Sequence, residues 1–85
     1  MDFDNVLGRM VKQVCTGHGV SVVTLSGYRI FALQVDKTRK RVQGTDLALV
    51  VQALVERYVK MGLERKVLVD IAYHVFNVVV PVARR

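Results

Sequence analysis

Cysteine occurs once among the 85 residues, as Cys15. A single thiol closes no internal disulfide, and a lone thiol suits a reducing compartment. Histidine is nearly as scarce. With Cys15, only His18 and His74 offer soft or imidazole ligands, short of the about four that a structural zinc site takes, so no metal and no other cofactor is implied. No repeat, low-complexity tract or linker divides the chain. No apolar run nears the roughly 18 residues of a membrane span, and Met1-Asp2-Phe3-Asp4 is acidic where a signal peptide begins basic. Cytoplasmic residence without a membrane partner is the expectation. Paired carboxylates, metal-ligand spacings and nucleotide fingerprints are all missing, so no enzyme is expected.

What the chain does have is apolar residues and positive charge. Eighty-five residues make one domain, 1–85, with one core, and a domain of this size buries only about 60–65% of the surface its unfolded chain exposes. Disulfides, a metal or oligomerisation close such a gap, and the first two are excluded above. Apolar residues nevertheless make up 52% of the sequence, more than one small core hides. The surplus predicts a homo-oligomer, a homodimer being the simplest, with Val51, Leu54, Val55, Tyr58 and Val59 at the contact.

Glycines cut the chain into pieces. Phe3, Val6, Leu7, Met10 and Val14 recur at helical spacing over about 3–16, with Asp2 or Asp4 as cap and Gly17 as stop. Val20–Leu25 and Tyr28–Val35 are rich in β-branched and aromatic residues and flank Ser26-Gly27, the mark of a tight hairpin; a third strand is expected near 40–43. Thr45 is placed to cap a helix over 46–61 whose stripe is Leu47, Val50, Val51, Leu54, Tyr58 and Met61, ended by Gly62. Over 63–79, Lys66, Asp70, His74 and Asn77 gather on one helical face opposite Leu68, Ile71, Ala72, Val75 and Val79, and Pro81 ends the run. The expected fold class is α+β in the order α-β-β-(β)-α-α, a small antiparallel sheet over about 20–43 flanked by helices. Its α-β-β-β-α portion resembles the double-stranded-RNA-binding fold in element order only; acidic, apolar Gly44-Thr45-Asp46-Leu47-Ala48 stands where that family's second helix starts basic.

The densest local feature is Lys37-Thr38-Arg39-Lys40-Arg41, with Arg29 on the neighbouring element. Four cations in five residues repel one another unless water or a polyanion screens them, and guanidinium forks grip phosphates bidentately. A solvated sheet edge blunted by lysine accounts for the same residues. Tyr28 beside Arg29 suits either base stacking or core packing. Gly17-His18-Gly19 lacks the Gly-Lys-Ser/Thr ending of a phosphate loop and reads as a helix stop. Cys15 near His18 has the residue types of a thiolate–imidazole pair, but a cysteine on an apolar helix face acts as a small hydrophobe. Asp70 and His74, four apart, are spaced to hydrogen-bond, without a nucleophile or oxyanion site to make them catalytic.

The composition thus points to a small basic regulatory or binding protein, of the kind phages and plasmids carry as accessories. Its leading partner is nucleic acid, held through Arg29, Lys37, Arg39, Lys40 and Arg41. An acidic protein surface met by an inhibitor or adaptor is the alternative, and capture of a small anionic ligand between subunits a third.

Overall fold

The computed structural model describes residues 3–42 and 44–79, with side chains from 6 to 76 apart from 45. Four helices account for nearly all of it: α1 (Phe3–Gly17), α2 (Leu25–Arg41), α3 (Thr45–Lys60) and α4 (Arg65–Val79), with one 3₁₀ turn, Val22–Thr24, leading into α2. Among the described residues there is no strand. The expected α+β class is therefore corrected to a four-helix bundle, and the likeness in element order to the double-stranded-RNA-binding fold falls with the sheet.

The error lies wholly in 20–43. Tyr28, Phe31, Ala32 and Val35 are buried, and their spacing of three, four and seven is one face of a helix. Alternation along 28–35 suggests a strand, but among the described residues no partner strand exists to reward it. Ser26-Gly27 is the first turn of α2, not a hairpin turn. The segment before it is a connector in which the Ser21 hydroxyl accepts from the Val23 amide at 3.3 Å. Lys40 and Arg41, assigned to a third strand, are the last residues of α2; Gln43 lies outside the described residues.

The other three helices stand where their periodicity puts them, with local corrections. α1 ends at Gly17, but the left-handed stop residue is Gly19 and not Gly17. The Val20 amide donates to the Cys15 carbonyl at 2.9 Å and the Gly19 amide to Thr16 at 3.1 Å, with Gly19 at φ +73°. This paired reverse bonding is the Schellman stop, which needs a left-handed residue. α3 ends identically: Leu63 bonds back to Tyr58, Gly62 bonds to Val59, and Gly62 sits at φ +103°. The residue after each glycine, Val20 or Leu63, then packs on the core. At the start of α3 the N-cap is Gly44 without a side-chain cap, and Thr45 is already helical. The proposed Asp2 cap lies outside the described residues.

The bundle has a diamond cross-section. α2 touches α1, α3 and α4, α4 touches α1, α2 and α3, and α1 and α3 share no contact among the described residues. Phe31, Val11, Val35, Val67, Leu68, Ile71 and Val75 fill the centre with no exposure. The Phe31 and Tyr58 rings meet edge to face at 5.3 Å, and the Glu64 amide donates to Tyr28 Oη at 2.9 Å, pinning the start of α4 to α2. The α1/α2 edge is consequently diagonal to the α3/α4 edge. That opposition positions everything below.

Candidate functional site

Three regions of the surface carry chemistry, and each occupies a different edge. The first is the basic run. It is the C-terminal end of α2, where Arg39, Lys40 and Arg41 lie in the last turn and face the negative end of the helix dipole. Asp36, 4% exposed, divides the run. Its Oδ1 takes the Arg39 guanidinium at 3.2 Å and its Oδ2 lies 3.4 Å from Lys40 Nζ. Helical spacing of three and four brings these partners together; in the expected strand they would have been scattered. Lys37 and Arg41 are exposed, four residues apart, on the same outer stripe as Gln34 and Ile30.

Arg29, expected beside the run on a strand, is on α2 two turns earlier. Its guanidinium lies across α1 at Gly8, where a Cβ would meet Arg29 Nη2 at 3.5 Å. Arg9 and Lys12, exposed on α1, follow that glycine in sequence and were not singled out from composition. The signal that would have found them is the absence of any carboxylate between residues 5 and 35.

The second region joins α1 to α4. Both histidines of the chain meet one carboxylate: His18 Nε2 is 2.9 Å from Asp70 Oδ2, and His74 Nδ1 is 3.2 Å from Asp70 Oδ1 and 2.8 Å from the Asp70 carbonyl. The Asp70–His74 pair follows from helical spacing; His18 is brought in by the turn after α1. Cys15 is turned away into the core, 1% exposed, where burial pushes its thiol above the usual range. A thiol so placed has little thiolate for nucleophilic work. Among the described residues no cluster of three or more His, Cys, Asp or Glu is placed to hold a metal ion, and no helix is long and apolar enough to cross a membrane.

The third region is the α3/α4 edge. A groove of about 400 Å³ has Ala48, Val51 and Gln52 on one wall and Val69, Ala72 and Phe76 on the other. Across the Val69 ridge it continues into an open concavity beside Tyr73, Lys66 and His18. Val69 is 52% exposed and Tyr73 64%. Between the two helices Arg65 grips Glu56 at 2.6 and 3.2 Å, which holds the Glu56 carboxyl below its ordinary range. Of the residues expected at a subunit contact, Val55 and Tyr58 are buried within the single chain, while Val51, Leu54 and Val59 are half-buried against its core.

No family model, curated protein or solved structure matches the chain.

Proposed function

We propose that this chain is a non-enzymatic binding protein that holds nucleic-acid phosphates on its α1/α2 side. One observation carries the reading: the charge is segregated. Residues 6–42 hold Arg9, Lys12, Arg29, Lys37, Arg39, Lys40 and Arg41 against the single carboxylate Asp36. Residues 44–76 hold Arg57, Lys60, Arg65 and Lys66 against Asp46, Glu56, Glu64 and Asp70. Counting Asp4, α1 and α2 together carry +5 of the net charge of +6, while α3 and α4 with the connecting Glu64 are neutral. A one-sided positive field concentrates polyanions and steers them to that side.

Arg9, Lys12, Arg29, Lys37 and Arg41 are the exposed cations there for which no ion pair is formed among the described residues. They extend the expected contact set onto α1, and Asp36 takes Arg39 and Lys40 partly out of it. Contacts of this kind give affinity and position with little sequence preference. The test is binding to generic duplex DNA and single-stranded RNA as salt is raised. The logarithm of the binding constant is expected to fall linearly with that of salt, with a slope of about −3 to −4.5 on duplex if most of the five cations touch phosphate. Absence of binding at low salt would sink the reading and put an acidic protein surface, met by the same side, in its place.

A further inference from the structure

We propose that the apolar α3/α4 groove is covered by a second copy of this chain, arranged two-fold. The inference stands apart from the nucleic-acid reading, because it uses the opposite edge of the diamond and none of the α1/α2 cations.

Size is the first argument. α3 and α4 are 16 and 15 residues long, so side by side they present a surface about 23 Å by 20 Å. That footprint of about 460 Å² is most of the roughly 600 Å² per partner at the lower end of stable interfaces. Shape is the second. Val69, 52% exposed, stands between the groove and the adjoining concavity lined by Tyr73, itself 64% exposed, and a two-fold mate returns each projecting side chain to the other copy's hollow. Contiguous exposed apolar surface of this kind marks an interface.

Charge selects the occupant. The four cations and four carboxylates of residues 44–76 cancel, and Arg65 already holds Glu56. An acidic partner is drawn to α1/α2 and finds no surplus charge here. A second copy meets a neutral face with a neutral face and leaves both basic sides pointing outward. Two molecules of net charge +6 still repel at long range, so salt, which screens that repulsion, strengthens the pairing. Nucleic-acid binding has the opposite salt dependence.

Sedimentation of the full chain over a range of concentrations and salts tests this, with wild type beside Tyr73→Ala and Val69→Lys and circular dichroism as the check on folding. The expected result is a species of twice 9.6 kDa whose formation improves with salt. Tyr73→Ala should raise the dissociation constant at least about tenfold, as a central aromatic does, and Val69→Lys should give a single-chain mass. Should Val69→Lys unfold, Tyr73→Ala still decides, since its ring leaves the core untouched. Three results overturn the proposal: a single-chain mass under all conditions, a stable species larger than two chains, or a two-chain mass that neither substitution moves. In the last case weakened RNA binding by Tyr73→Ala would identify the ring as a base-stacking platform.

Discussion

Asp36 sets how many charges of the Lys37–Arg41 run face outward freely. Its carboxylate is almost closed off from water and lies against both Arg39 and Lys40. A buried carboxylate needs such partners, because leaving it unpaired costs several kcal/mol. The same two cations also complement the end of the α2 dipole. Part of the basic run is thus explained by the stability of α2 itself, and only the remainder is available to a polyanion. Removing the carboxylate while keeping its shape separates the two roles. Asp36→Asn should lower stability by about 1–3 kcal/mol, because the amide keeps an acceptor for the two cations but loses the charge that offsets them. It should also release Arg39, tightening binding to duplex DNA and steepening the salt slope by roughly one unit. Urea unfolding and a salt titration measure both. A variant that binds more weakly than wild type would mean that Asp36 orients Arg39 for phosphate instead of withholding it.

At the scale of elements, α1, α3 and α4 were legible in the sequence because their apolar residues recur at helical spacing and glycines follow them. α2 was not, and the reason is specific. Val20–Leu25 and Tyr28–Val35 are rich in residues that favour strands, and Ser26-Gly27 looks like a hairpin turn; yet β-propensity largely reports how a side chain packs, and yields to tertiary context. The spacing of Tyr28, Phe31, Ala32 and Val35 held the right answer. The same misreading hid the Asp36 partners and the α1 cations, since both depend on α2 being a helix laid along α1. The identity of the cationic residues was readable, but their division between free and paired was not. Glycine substitutions check the assignment by sign. Gly27 lies in the first turn of α2, and a Cβ there would meet the Leu63 side chain at 3.4 Å, an ordinary contact. Gly27→Ala should therefore stabilise by up to about 0.5–1 kcal/mol through helix propensity. Gly62, at φ +103°, closes α3 in a conformation that alanine resists, so Gly62→Ala should destabilise by about 1 kcal/mol or more. Thermal unfolding of the two variants shows the contrast, and a loss at both positions would argue for a turn at Ser26-Gly27.

Across the whole molecule, the diamond arrangement turns a sequence-level charge count into a direction. Because α1 and α3 do not touch among the described residues, the basic α1/α2 edge and the neutral, apolar α3/α4 edge look away from one another. Pairing through the second edge would give a particle with two basic sides facing outward, and two linked sites gain affinity through effective concentration when one polyanion reaches both. On the proposed reading, position, and not net charge alone, governs binding. Lys12→Glu with Lys37→Glu and Arg57→Glu with Lys60→Glu change the net charge identically, by four units each. All four side chains are exposed, so both pairs should leave the fold intact, as surface charges contribute little. The α1/α2 pair should weaken nucleic-acid binding by orders of magnitude at physiological salt and flatten the salt slope by roughly two units. The α3 pair should leave that slope unchanged and reduce affinity only through the long-range field, an effect that added salt removes. Equal losses in the two variants, with equal changes of slope, would show that the protein is held by diffuse charge and that neither edge is a site.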